Sequence, residues 1–308
     1  MMDLALIAGS AQAALAVEIA RRLGTEAHIG AACPFPDGEI HVRLPAVRGA
    51  DVYLIQSIGP PTHDRLIELL LLADAARRAG AARLTAVVTY LAYARQDRRE
   101  QEGGPVSAKV IADLIGRSVD RVVGIDLHAP AVEAFFPCPV EHLSATGVLL
   151  DSVRPLVTDH VVVAPDLGAM KRAERFACLL GAPTACVRKR RLSGHEVEVL
   201  GIEGDVRDRP ALVVDDMIST GATIVAAVDA LRRSGARAMI VAATHGLFVP
   251  PSARTVGGLG LEALFVTDSV PPPPDAPAHT RVSVAAPLSD AIDRMHRELP
   301  LGEHVRAL

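Results

Sequence analysis

The sequence predicts an α/β protein built as two tandem domains, each a mostly parallel sheet flanked by helices. Short β-branched or apolar runs alternate with longer segments of helical period, the order that yields helix-covered parallel sheets. The chain has 308 residues, half of them apolar, enough for two full cores. The order of elements in the first half is met again in the second, although no residue-level repeat accompanies it.

In the first half the runs LALI, VYLIQ, LTAVVT and RVVGI predict strands at Leu4–Ile7, Val52–Gln56, Leu84–Thr89 and Arg121–Ile125. Between them, helical period predicts helices near Ala11–Leu23, Asp64–Ala79 and Ala108–Val119. In the second half strands are expected at Val161–Ala164, Ala185–Val187, Ala211–Val214, Ala238–Ala242 and Ala263–Val266, with helices near Met170–Leu180 and Gly221–Ser234. The boundary is expected near residues 140 to 150, giving domains of residues 1–145 and 146–308. The prolines at 271 to 274, with Pro277, read as a rigid surface loop, and Asp290–Leu299 as a closing amphipathic helix that packs back on the first domain.

Composition narrows the function. The 32 basic and 36 acidic residues leave a net charge of −4 without a long run of one sign, which argues against a polyanion-binding surface. Nine aromatic residues and no Trp give little to stack bases on, so nucleic acid is not an expected partner. Cys33, Cys138, Cys178 and Cys186 form no CxxC pair and no zinc spacing, and suit a reducing compartment as core fillers. The N-terminus carries no signal-peptide pattern and no 18-residue uncharged run occurs, so a soluble cytoplasmic protein without membrane partners is expected. Lysine is rare: Lys109, Lys171 and Lys189 stand against 29 arginines, so a retained Lys marks a place where the planar guanidinium will not serve.

The strongest local signal is Ala211–Thr223, ALVVDDMISTGAT: an apolar strand, two carboxylates, then a Ser/Thr/Gly turn opening into a helix. Backbone N–H groups of Ser219, Thr220, Gly221, Ala222 and Thr223 can converge where the helix dipole favours an anion. Asp215 and Asp216 can accept hydrogen bonds from vicinal sugar hydroxyls or hold a metal. An isolated acid pair or turn is a helix N-cap with solvated acids; strand, acids and turn in this order describe a sugar-phosphate site.

This segment resembles the phosphoribosyl-diphosphate binding motif of the type I phosphoribosyltransferase fold, so both domains are expected to be phosphoribosyltransferase-like. Four further motifs resemble the ribose-phosphate pyrophosphokinase family: Phe35-Pro36-Asp37-Gly38-Glu39, Tyr93-Ala94-Arg95-Gln96-Asp97-Arg98, Asp126-Leu127-His128-Ala129 and Lys189-Arg190-Arg191. HDRLIELL after the second strand and APDLGAMKRA before a second-domain helix extend the likeness over nearly the whole chain.

The resemblance implies transfer of the β,γ-diphosphoryl group of ATP to the anomeric hydroxyl of ribose 5-phosphate, giving phosphoribosyl diphosphate and AMP. No GxxxxGK[ST] occurs, so side chains must grip the nucleotide. Asp37, Gly38 and Glu39 alone read as a hairpin tip; by resemblance they contact ATP bound by a neighbouring subunit, with Phe35 on the base, in a homo-oligomer. Arg95 and Gln96 alone read as an ordinary polar loop, and by resemblance bind ATP. His128 alone reads as a hydrogen-bonded strand-end residue; by resemblance it and Asp166 contact Mg²⁺. Lys189 and Arg191 alone read as a basic turn before an edge strand, and by resemblance they stabilise charge developing on the transferred phosphates, Arg191 also meeting ribose 5-phosphate.

Two departures stand out. Ser219 occupies a position where many family members carry Asp, which removes one negative charge beside the phosphate turn. RRLSGHEVEV lacks the proline-rich loop of the commonest bacterial enzymes, on which phosphate activation, ADP inhibition and hexameric assembly are expected to depend. A phosphoribosyltransferase consuming the activated sugar would need neither the Lys-Arg-Arg segment nor the nucleotide motifs. A catalytically silent, synthetase-associated subunit would have lost charged groups that Lys189, Arg191, His128 and Asp215 retain.

Overall fold

Strands buried on both faces need apolar side chains at nearly every position, and the uninterrupted runs of the sequence become the central strands of two sheets. The computed structural model describes residues 2–191 and 197–302, with the side chains of Ala31, Arg190, Arg191 and residues 197–199 outside the description. The chain divides into two units: residues 1–145 with 269–271 and the segment from Ser283 onward, and residues 146–268 with 272–282.

The first unit runs β1 (Leu4–Ala8), α1 (Ala13–Leu23), β2 (Ala27–Ile29), β3 (Ala31–Pro34), β4 (Ile40–Arg43), β5 (Asp51–Ser57), α2 (Thr62–Arg78), β6 (Arg83–Tyr90), α3 (Ser107–Ser118), β7 (Arg121–Ile125) and β8 (Val140–Leu143). Its six-stranded sheet has the order β2-β1-β5-β6-β7-β8 with every pairing parallel. All seven residues of β5 are buried. β3 and β4 form a separate antiparallel hairpin.

The second unit runs α4 (Thr146–Val153), β9 (Val161–Ala164), α5 (Met170–Leu180), β10 (Thr184–Arg191), β11 (Val197–Glu203), β12 (Ala211–Ile218), α6 (Ala222–Arg233), β13 (Met239–Gly246), α7 (Ser252–Gly257), β14 (Ala263–Thr267) and β15 (Thr280–Val282). The sheet order is β11-β10-β9-β12-β13-β14-β15, parallel throughout except for β10 with β11. Its core gathers Val161, Val163, Val213, Ile224, Val241 and Phe248 from strands and covering segments. The two sheets share one winding: β1 and β9 each flank the next strand in sequence on one side and a later strand, β5 or β12, on the other, and the remaining strands lie outward in chain order. The prolines at 271 to 274 fall in irregular chain before β15.

Several boundaries correct the sequence reading. Lys189 and Arg191 are not in a turn: β10 continues through Arg191 because β11 pairs with it antiparallel, Lys189 opposite Val199. β12 runs past the acid pair to Ile218, and β13 to Gly246, because the two pair with each other beyond their apolar runs. The closing helix, α8 (Ala285–His296), lies earlier than Asp290–Leu299. Pro287 is tolerated in its first turn, where an N–H has no partner to lose. It stops before Leu299, which precedes Pro300 and so disfavours helical geometry, and Glu298 has φ of 58°.

α8 belongs to the first unit, and a buried ion cluster ties it there. Asp51, fully buried at the start of β5, accepts both arms of Arg83 at 2.8 and 2.6 Å. His296 Nδ1 meets the same carboxylate at 2.7 Å, and Arg83 also donates to the Met295 carbonyl at 3.2 Å. Removing the acid leaves a guanidinium without its counter-charge in a low-dielectric setting. Asp51→Ala is therefore expected to lower stability by about 3–5 kcal/mol in urea titration and to expose the α8 segment to proteolysis; an unchanged midpoint would refute the role of the cluster.

Candidate functional site

In a parallel sheet every strand delivers its carboxyl end to the same edge, and the chemistry-bearing motifs of each unit leave their strands at that edge. In the second unit, Asp166 follows β9. Its Oδ1 accepts from the backbone N–H of Gly168 at 3.0 Å and Ala169 at 3.3 Å, capping a short 3₁₀ turn. Asp215 and Asp216 are the fifth and sixth residues of β12, both partly buried, and the Asp216 N–H donates to Asp215 Oδ1 at 2.8 Å.

After β12, Ser219 and Thr220 lead to Gly221, which caps α6 with φ of 82°. A Cβ there would stand 2.5 Å from Val256 Cγ2, so both conformation and space demand glycine. The first amides of a helix lack intrahelical acceptors, and those of Gly221, Ala222 and Thr223 open onto this edge. Thr220 Oγ1 accepts from the Ala222 N–H at 3.5 Å.

Lys189 reaches this region from β10. Its Nζ donates to the Thr223 carbonyl in the first turn of α6 at 3.0 Å. Burial pulls the ammonium below the usual lysine value, opposed by the carboxylates of Asp166 and Asp215. Dehydration, then the charges of Asp216 and Asp166, push the Asp215 carboxyl well above the usual range. The second unit thus gathers three carboxylates, one ammonium and a glycine-capped helix start. Arg191 closes β10, but its side chain lies outside the described atoms.

The first unit holds the other candidates. Phe35 to Glu39 form the tip of the β3–β4 hairpin, closed by Phe35 N–H to the Glu39 carbonyl at 2.7 Å and Glu39 N–H to Asp37 Oδ1 at 3.1 Å, with Gly38 at φ of 94°. Phe35 is 50% exposed and meets His41 edge-on at 6.3 Å between centroids. Arg95 and Gln96 are exposed in the loop after β6, where Gln96 N–H bonds the Tyr93 carbonyl at 2.9 Å and Ser107 Oγ donates to Gln96 Oε1. His128, exposed, follows the neighbouring strand β7.

Sequence reading assigned no role to two groups at these edges. His63 Nε2 bonds the Tyr93 hydroxyl at 2.6 Å, tying the start of α2 to the Tyr93–Arg98 loop. Thr244 and His245, both buried, end β13 beside the acid-bearing strand, His245 in register with Met217. Cutting β13 at Ala242 hid them. The available signal was polar residues interrupting the end of an apolar run, as in Tyr93-Ala94-Arg95 and Asp126-Leu127-His128.

Among the described residues no helix is long and apolar enough to cross a membrane, and no cluster of three or more His, Cys, Asp or Glu could hold a metal alone. The upward push on Asp215 comes first from burial and then from the neighbouring charges of Asp216 and Asp166.

Comparison with known proteins identifies relatives along the whole chain. Residues 4–118 match the family model of the N-terminal domain of ribose phosphate pyrophosphokinase, and residues 190–306 that of the phosphoribosyl synthetase-associated domain. The chain is 41% identical over 306 residues to the ribose-phosphate pyrophosphokinase of Shewanella oneidensis, covering 97% of each chain. That of Vibrio cholerae is also 41% identical over 306 residues, with 97% of this chain and 98% of the relative covered. The crystal structure of phosphoribosylpyrophosphate synthetase from Mycobacterium smegmatis superposes with a TM-score of 0.89 at 36% identity, over 96% of this chain and 99% of that one.

The carboxylate crowding has a measurable cost. An acid whose proton affinity rises on folding contributes stability that is intact below its ordinary value of 3.8 and lost as pH climbs through the raised value. Asp215→Asn is therefore expected to raise the thermal midpoint at pH 7, by a gain that shrinks as pH falls toward 4. A lower midpoint at neutral pH would show that the carboxylate is stabilising.

Proposed function

The chain belongs to the ribose-phosphate pyrophosphokinase family, and from that premise we propose that it transfers the β,γ-diphosphoryl group of ATP to the anomeric hydroxyl of ribose 5-phosphate, giving 5-phosphoribosyl 1-diphosphate and AMP. The observation that carries the reading is the dehydrated ammonium of Lys189, held beside Asp166 and Asp215 and against the first turn of the helix that Gly221 opens.

In this reading the second unit binds the sugar. Amides of residues 219–223 hold the 5-phosphate, and Asp215 and Asp216 accept from ribose hydroxyls. Ser219 offers a neutral hydroxyl, so the phosphate meets no additional negative charge there. The nucleotide elements lie in the first unit: Asp37, Gly38 and Glu39 on the adenine, Phe35 packing on its ring, Arg95 and Gln96 on the remainder. The half-exposed Phe35, at the tip of a hairpin outside both large sheets, supports a nucleotide site shared between subunits of a homo-oligomer.

The reaction is an in-line attack of the anomeric oxygen on the β-phosphorus; the bond to the oxygen bridging the α-phosphorus breaks and AMP departs. Lys189 now bonds a neutral carbonyl, a charge-assisted contact worth about 1.5–3 kcal/mol, and exchanging it for a charged phosphate oxygen is favourable. Lys189 and Arg191 then meet charge developing on the phosphates. The family depends on Mg²⁺, and by resemblance His128 would contact the ion from the first unit and Asp166 from the second. When bound it neutralises triphosphate charge.

Incubation with ribose 5-phosphate, Mg²⁺ and ATP is expected to release AMP in step with phosphoribosyl diphosphate; ADP as sole product would refute diphosphoryl transfer. Lys189→Ala is expected to lower turnover by about 10²–10³-fold while calorimetric affinity for ribose 5-phosphate changes little, because its contribution falls on the transition state. Near-normal turnover in that variant would remove Lys189 from the mechanism.

A further inference from the structure

The turn that carries His128 begins with a strained residue. Asp126 is buried and has φ of 39°, a left-handed conformation that a non-glycine residue holds only where its surroundings over-determine it. The surroundings here are β8 and the two residues after it. Asp126 N–H donates to the Leu143 carbonyl at 2.9 Å. The Asp126 carboxylate accepts from Ser144 Oγ and from the Ala145 N–H, each at 3.3 Å. These contacts hold Asp126 itself, and leave the next peptide, Asp126–Leu127, which leads into His128, to be fixed by something else.

His142 supplies that contact. Leu127 N–H points at His142 Nε2, 2.8 Å away. A backbone N–H can only donate, so Nε2 carries the lone pair and the ring proton sits on Nδ1. The site is shaped for this: His142 is the ladder partner of Gly124 on β7. A Cβ at Gly124 would lie 3.0 Å from Leu127 Cδ2 and 3.3 Å from its Cγ, so the Leu127 side chain folds over the glycine.

We propose that His142, acting as a neutral acceptor for the Leu127 N–H, is a positioning residue that fixes the direction of His128 toward the metal–nucleotide complex. The proposal rests on the role given to His128 above. It assigns to β8, which bears none of the motif residues, the task of aiming one.

The decisive comparison is His142→Leu, which keeps volume and loses the acceptor, against His142→Gln, whose Oε1 reaches about as far as the imidazole Nε2. His142→Leu is expected to lower kcat/KM for Mg-ATP about tenfold, with KM for ribose 5-phosphate within about twofold and hydrogen exchange at the Leu127 amide accelerated. His142→Gln is expected to restore activity and protection to near the parent level. In a double-mutant cycle, His142→Leu should add nothing to His128→Ala. Equal loss toward both substrates, no rescue by Gln, or additivity with His128→Ala would overturn the proposal. Absence of AMP formation in the parent protein would instead overturn the functional reading, while Leu127 exchange would still confirm or refute the brace without substrate.

Discussion

Parallel pairing is the constraint on which the rest of the molecule depends. A strand whose neighbours run the same way must be linked by a crossover, so β1, β5, β6, β12 and β13 are each followed by a helix, and parallel runs deliver their polar continuations to one edge. Asp166 follows β9, Lys189 and Asp215 lie in the carboxyl-terminal halves of β10 and β12, and Arg95 and His128 follow β6 and β7. Lys189 shares the edge because β10 is parallel to β9, although β11 then returns antiparallel. The antiparallel partner extends β10 far enough to carry the lysine beside α6, a reach that a freely solvated turn could not hold against side-chain entropy.

The balance of charge at that edge shows why lysine serves where this chain otherwise uses arginine. Asp166 and Asp215 attract a cation, but the space beside α6 is dehydrated and offers a single carbonyl acceptor. A guanidinium would bring five donors to a place that satisfies one, whereas an ammonium is compact and changes partner by rotating about a flexible stem. Burial, and then the charges of Asp216 and Asp166, push Asp215 toward protonation, so the site is less stable without its substrates than an apolar packing would be. That imbalance is what a sugar hydroxyl, a phosphate-bound cation or both would relieve.

What could be read from sequence was what local pattern determines. The apolar runs marked the central strands, and the order strand, acids, phosphate turn located β12 and α6 without any tertiary information. The ends of elements were not legible in the same way. Lys189 looked like a turn residue because a basic run has turn composition, and only antiparallel pairing with β11, which places Lys189 opposite Val199, makes it strand. Thr244 and His245 read as the end of β13 because polar residues interrupt the run, yet Met217 and Ile218 pair opposite that segment and keep it extended. His142 carried no signal at all: its partner is a backbone amide fifteen positions away, and no side-chain pattern announces a backbone contact.

The two distorted residues at these edges illustrate two solutions to one problem. A strand that must present a group at its end has to break its extended geometry abruptly. At Gly221 the break is intrinsic, since the missing side chain makes a left-handed conformation cheap and lets the backbone of the helix start be approached closely. At Asp126 the break is imposed on a residue that resists it, and the resisting side chain is itself one of the tethers, bonded to Ser144 and Ala145. A glycine there would bend as easily but would lose that tether, and with it the direction of the Asp126–Leu127 peptide that leads into His128. Where the ligand is to be met by backbone amides, flexibility in the residue is harmless because the helix start defines their direction. A single imidazole has no helix to aim it, and the neighbouring strand must do so.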